Sequence, residues 1–173
     1  MFFPSFEFLE KTVPYLDLPG FRILHQPRRA STEALKEILV ALNEERGLVV
    51  LAVQGGSLSE GIDLPGEALI GCVVVGPPIP PFDLERKLTK EYFERTYGEG
   101  EAFTYTYPAM AKAIQAAGRV IRGPEERGLI ALLDGRFLEP SFAECFPQDW
   151  FKQSAQEAVS DGILAKVARF WEQ

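Results

Sequence analysis

Three stretches of the chain are apolar without a break, at 47–53, 69–75 and 128–133. Runs of that length suit strands covered on both faces. A fourth candidate is Phe21-Arg22-Ile23-Leu24-His25, with turn residues on either side. Met1-Phe2-Phe3 is a short apolar start that ends at Pro4-Ser5, and a helix-like run follows at 6–15. Ser31-Thr32-Glu33-Ala34 opens a helix whose apolar stripe is Leu35, Ile38, Leu39 and Leu42. A charged helix is predicted over 84–97 and another over 107–121, with a last one near 154–170. Apolar strands alternating with helices predict a three-layer α/β domain, with a mainly parallel central sheet and helices on both faces. It takes in residues 1–173, with a helical insertion near 80–106 after the break at Gly76-Pro77-Pro78.

The 173 residues, 46% of them hydrophobic, suffice for one domain with a substantial core. A net charge of −7 argues against gripping nucleic acid by bulk charge, and leaves only a local basic groove for that purpose. Cys72 and Cys145 stand far apart, and His25 is the single histidine, so neither a disulfide framework nor a metal-ligand set is expected. Both thiols read as buried groups in a reducing compartment. No stretch reaches the length of a membrane span, and the start lacks the basic residues of a signal peptide. No membrane partner and a cytoplasmic setting are the expectations.

Candidate chemistry gathers in two places. In Gln115-Ala-Ala-Gly118-Arg119-Val-Ile-Arg122, a helix continuing to 121 would set Gln115, Arg119 and Arg122 on one stripe, beside Lys112. Met110, Ile114, Ala117 and Ile121 would form the apolar stripe, roughly 150° away at about 100° per residue. Arginine suits the charge that builds up on a transferring phosphoryl group. A solvated basic face is the other reading of the same stripe. The second place is Gln54-Gly55-Gly56-Ser57-Leu58-Ser59-Glu60-Gly61-Ile62-Asp63, directly after the run at 47–53. Ligands of open parallel sheets collect outside the carboxyl ends of strands. Glycines there let the backbone approach a phosphate or a sugar. Asp63 can accept from a ribose hydroxyl and Glu60 from water or an arginine. The competing reading is a glycine-rich turn with Ser59 or Asp63 capping a short helix.

Taken together, the two segments resemble motifs V and VI of superfamily 2 helicases. The spelling Gly118-Arg119-Val-Ile-Arg122, with Arg127-Gly128 through Leu133-Asp134-Gly-Arg136-Phe137, is similar to the XPD/DinG family. Phe2-Phe3-Pro4-Ser5 resembles that family's motif IV. The resemblance runs from residue 2 to about 138. It implies a RecA-like fold and the second (C-terminal) motor domain of an ATP-dependent DNA helicase. By position, Arg119 and Arg122 would be the arginines that reach the ATP phosphates, and Gln115 would help set the γ-phosphate and attacking water. Glu60 and Asp63 would couple nucleotide to DNA, with Gly61 allowing the close approach. Ser5, Gly56 and Ser57 would lie nearer the single-stranded DNA track. Implied partners are single-stranded DNA, the first RecA-like domain and possible DNA-repair proteins. The implied setting is the nucleoid in a prokaryote or the nucleus in a eukaryote.

The chain departs from a whole motor. It has no Gly-x-x-x-x-Gly-Lys-Ser/Thr loop and no Asp-Glu-x-His pair for Mg²⁺. The cysteines of an iron–sulfur cluster are also missing. The resemblance assigns all three, and so the Mg²⁺ of ATP, to the first domain. The chain also starts inside motif IV, with no room for the usual upstream strand. The expectation is a separate or excised C-terminal half that does not hydrolyse ATP alone. A non-catalytic RecA-like module binding a repair partner is the main rival, and a small-molecule phosphate-binding protein a weaker one. Arg28-Arg29 reads as a solvated loop or a DNA-phosphate contact, and Arg86, Lys87 and Lys90 as a salt-bridged face or contacts to DNA or partners. Trp150, Phe151 and Trp171 read as core or docking residues.

Overall fold

A computed structural model describes residues 1–59, 69–121 and 126–172. Its sheet has five parallel strands, β1 (Phe2–Phe3), β2 (Arg22–His25), β3 (Leu48–Val53), β4 (Gly71–Val74) and β5 (Leu129–Leu132), in the order β2-β3-β1-β4-β5. The short apolar start that ends at Pro4 is thus itself the central strand. Its neighbours make that possible. Phe2 and Phe3 register with Ala52 and Val53 of β3, and Phe2 with Val74 of β4. Backbone N–H groups of Ala52, Gln54 and Val75 donate to Met1, Phe3 and Phe2 carbonyls at 2.8–2.9 Å. Pro4 has no N–H and ends the ladder there.

Alternation along the strands divides the core in two. Phe2, Ala52, Cys72 and Val74 face one side, under helices α2 (Thr32–Glu44) and α4 (Tyr107–Ala117). Phe3, Leu51 and Val53 face the other, under α1 (Phe6–Thr12) and its Leu9. Strands β2 and β5 are the edges. Arg22 and His25 of β2 are exposed, and β5 is half-buried throughout rather than covered on both faces. No described helix is long and apolar enough to cross a membrane.

Helix α4 packs through small residues. Ala109, Met110, Ala113, Ala116 and Ala117 are buried, and the Cys72 thiol lies 3.6 Å from the Ala116 carbonyl. Of the stripe read from the sequence, Met110 and Ala117 are buried and Ile114 packs half-buried against the core, but Ile121 does not anchor the helix. Alanines let the helix axis approach the sheet, and Ile121 lies beyond the helix end, 44% exposed. A π-helical turn (Ala102–Thr106) leads into α4, just before Pro108. Proline lacks an N–H and its ring crowds the carbonyl four residues back, so the widened turn relieves a conflict at that point.

Helix α3 (Leu84–Tyr97) starts at the Asp83 cap, whose carboxylate accepts from Arg86 N at 2.8 Å. It buries none of its residues. At the other end, the single helix expected over 154–170 is two pieces. A 3₁₀ turn (Ala155–Ala158) is held by Glu157, which accepts from the Gln153 and Ser154 N–H groups. Helix α6 (Ile163–Trp171) begins only after Gly162, whose N–H donates to the Ser160 hydroxyl at 3.2 Å. Ahead of both pieces, α5 (Pro140–Ala143) brings Phe142 and Phe146 onto the α4 side of the core, where Phe146 stacks on Trp150 at 5.6 Å.

Two measurements test this packing. A Cβ on Gly128 would sit 2.0 Å from Val120 Cγ1. Gly128→Ala is therefore expected to cost about 1–3 kcal/mol, read as a thermal midpoint lower by several degrees. Burial pushes the Cys72 thiol up to about 11 from 9.0. The folded state holds that proton more tightly, so this stabilisation is complete below pH 9 and is lost as pH rises towards about 11. Urea midpoints of wild type should fall over that interval by more than those of Cys72→Ala, the difference being on the order of 2 kcal/mol. Parallel curves would refute the buried-thiol account.

Candidate functional site

The tip of β3 turns sharply. Gly55 has φ +71°, a conformation that L side chains rarely adopt. Gly56 is needed for packing, since a Cβ there would lie 2.7 Å from Gln26 Nε2 and 2.9 Å from the Val53 carbonyl. Gln26, buried beyond the end of β2, accepts through Oε1 from Val53 N at 3.1 Å. Gln54 reaches past the end of the short central strand. Its Nε2 donates to the Gly76 carbonyl at 2.7 Å, joining the tips of β3 and β4 where β1 no longer can. Gln54 is 4% exposed, and its Oε1 has no hydrogen-bond partner among the described residues. Gly76 in turn underlies the Asp134–Arg136 pair, with a Cβ there meeting Asp134 Oδ2 at 2.9 Å and Arg136 Nη2 at 3.0 Å. Arg136 donates to both Asp134 oxygens, at 2.7 and 3.0 Å, which holds the carboxyl below its usual range. The sequence carried this pair only as part of a family spelling. It gave no sign of the Gln54 bridge.

After Gly56 the chain dips inward. Leu58 enters the core, and Ser59 is 0% exposed. Both the amide and the hydroxyl of Ser59 donate to the Gly56 carbonyl, at 2.9 Å each. The Ser59 carbonyl accepts from Arg119 Nε at 3.0 Å. That bond brings together the two segments singled out in the sequence, which are 60 residues apart. The short helix that Ser59 or Asp63 was weighed as capping would lie outside the described residues.

The helix expected to carry Gln115 and Arg119 on one stripe ends between them. Helix α4 stops at Ala117 and Gly118 caps it, its N–H donating to Ile114 O at 2.8 Å. Arg119 N and Val120 N then donate to Ala116 and Ala117 carbonyls at 3.3 Å, a tightening turn instead of a further helical one. Gln115 is exposed in the last helical turn, and Arg119 is half-buried just past the end. The cost of glycine in a helix interior thus does not arise at Gly118, which is the stop. Glu60, Gly61, Asp63 and Arg122 lie outside the described residues.

Other candidates have structural partners. Ser5 caps α1, its hydroxyl accepting from Phe8 N at 3.1 Å. Ser57 is exposed in the turn. Arg28 is exposed, as a solvated loop residue would be, and makes a two-pronged pair with Glu10 at 2.6 and 2.7 Å while lying over the Phe6 ring. On α3, Lys90 pairs with Glu101 at 2.5 Å. Arg127 donates to the Phe170 carbonyl at 2.8 Å and stacks on its ring, tying α6 to the residues ahead of β5. Among the described residues no group of three His, Cys, Asp or Glu gathers to hold a metal.

Known proteins resemble this chain in sequence and fold. Residues 1–153 match the family model described as the helicase C-terminal domain. The regulator of telomere elongation helicase 1 homolog of Caenorhabditis elegans is 28% identical over 165 residues, 88% of this chain and 16% of that protein. The general transcription and DNA repair factor IIH helicase subunit XPD of Schizosaccharomyces pombe is 30% identical over 185 residues, 98% of this chain and 24% of that protein. This chain thus spans a quarter or less of the length of either relative. A solved XPD helicase aligns with TM-score 0.64 at 28% identity over 81% of this chain and 25% of its own. The Xpd4 structure from S. tokodaii, at 21% identity and TM-score 0.52, shares the fold. With its parallel RecA-like sheet and two joined loops, the chain belongs to the helicase C-terminal domain family, in the XPD-type branch of superfamily 2.

Proposed function

We propose that the chain is the second motor domain of an ATP-dependent DNA helicase, completing an ATP site with a first RecA-like domain. The observation that carries this reading is the bond from Arg119 Nε to the buried Ser59 carbonyl. It anchors one edge of the guanidinium and so fixes the plane of its fork. A fixed planar fork suits phosphate oxygens, whose charge grows in the transition state. The residues present fit the phosphates of ATP in that respect. ATP supplies the phosphoryl group, with Mg²⁺ held by the first domain.

In this reading Arg119 and Arg122 act as arginine fingers, and Gln115 orients the attacking water. Glu60, Gly61 and Asp63 line the nucleotide side of the loop after β3, with Asp63 beside the ribose. Gly56, Ser57 and Ser5 border the single-stranded DNA track. The Gly56 carbonyl accepts from Ser59, and Ser59 accepts from Arg119, so a shift of the DNA-side turn moves the arginine's anchor. That short chain of contacts is a physical route between the two ligands. A partner protein of DNA repair, and the nucleoid or nucleus as setting, belong to the same proposal. So does an iron–sulfur cluster, if one exists, in the first domain.

The test is single-stranded-DNA-stimulated ATPase with the chain joined to its first motor domain. Activity should need both halves. Arg119→Ala should lower turnover by roughly 10³–10⁵, and Arg119→Lys should not restore it, because a lysine lacks the planar fork. Near-normal ATPase in Arg119→Ala would sink the arginine-finger assignment. Hydrolysis by this chain alone would sink the half-motor reading.

A further inference from the structure

Lys112 lies one turn ahead of Gln115 on α4, and its side chain crosses the β3 tip. A Cβ on Gly55 would be 3.1 Å from Lys112 Cδ and Cε and 3.2 Å from Nζ. Only a glycine in that left-handed conformation leaves the lysine room to lie so flat. The chain has 25 acidic side chains against 18 lysines and arginines, yet Lys112 makes no ion pair or hydrogen bond with any described residue. Beneath it are further donors. The amides of Gly55 and Ser57 donate to no described acceptor, whereas those of Gly56 and Ser59 do. The Ser57 side chain is exposed beside them.

An ammonium carries three donors and no acceptor, and backbone N–H groups next to it add donors of the same sense. Such a set is completed by an anion. We propose that Lys112 and the turn at 55–57 form a seat for one backbone phosphate of single-stranded nucleic acid, a contact made from the helix that carries Gln115. The inference rests on the DNA-track reading of Gly56 and Ser57. The nucleotide is the other source of phosphate. Lys112 crosses the turn at Gly55, on the side given to the DNA track, whereas Arg119 is held at Ser59, four residues further along the loop. One face of α4 would hold DNA at Lys112 while its end presents Arg119 to ATP.

The experiment is fluorescence anisotropy of labelled oligothymidylate with the full chain, titrated across a salt series. Lys112→Met should bind about three- to tenfold more weakly at low salt, with a log–log salt slope shallower by about 0.7, the loss of one single-strand phosphate contact. Lys112→Arg should keep affinity and slope, and so should Lys166→Met on α6. Circular dichroism should be unchanged, since Lys112 is exposed. If wild type binds and Lys112→Met has the same slope, the seat is overturned while the DNA reading stands. If wild type shows no affinity for the oligonucleotide, the reading falls and the seat with it. ATP that displaces the oligonucleotide beyond the effect of equal ionic strength would assign the seat to the nucleotide, and would overturn the proposal.

Discussion

Everything in this domain hangs on a central strand two residues long. Phe2 is paired on both sides and Phe3 on the β3 side, and each belongs to a different half of the core. A strand this short cannot hold its neighbours parallel beyond Pro4, which has no N–H to offer. The Gln54 amide takes over there, reaching from β3 to the Gly76 carbonyl on the β4 side. The site begins at the next residue. Gly55 turns, Gly56 fits against Gln26, and Ser59 is set to receive Arg119. Backbone geometry at the strand tips is therefore continuous with the chemistry proposed for the loops.

The protein distributes its charges in keeping with that arrangement. Arg28, Lys90 and Arg136 are engaged by Glu10, Glu101 and Asp134, two of these pairs on the open surface where they add little stability. Pairing of this sort keeps an acidic chain from presenting a broad basic field. What then distinguishes Lys112 is its place over backbone instead of over a carboxylate. Arg119 is anchored through a main-chain carbonyl.

The sheet was legible because β3 and β4 are nearly all apolar, and unbroken apolar runs are what strands inside a covered sheet require. Helix α3 was legible to its ends, since Asp83 caps one and Gly98, with φ +74°, closes the other. Phe2–Phe3 was not, because two residues carry no periodicity, and their strand character comes wholly from the neighbours. The end of α4 was misplaced for a related reason. Nothing in Gln115-Ala-Ala-Gly118-Arg119 distinguishes a glycine inside a helix from one that stops it, and a pattern of apolar residues at 114, 117 and 121 invited the longer reading. Both loops of the site were legible as segments, from glycine content and position after a strand. Their contact was not, as Arg119 meets a main-chain carbonyl, and carbonyls leave no trace in side-chain pattern. The lysine across Gly55 was equally hidden, since its meaning depends on a turn whose geometry appears only in three dimensions.

The π-helical turn ahead of α4 has a consequence for how this domain can vary. Such a turn takes up one residue more than an α-helical turn of similar span, and each helical residue corresponds to about 100° of rotation. The turn at Ala102–Thr106 therefore sets the azimuth of all that follows it, including Lys112 and Gln115, against the stacked rings of Phe93 before it and Phe103 within it. It works as a phase adjuster. The helical insertion upstream is thus free to change in length and sequence, provided that this one turn restores the angle at which α4 meets the sheet.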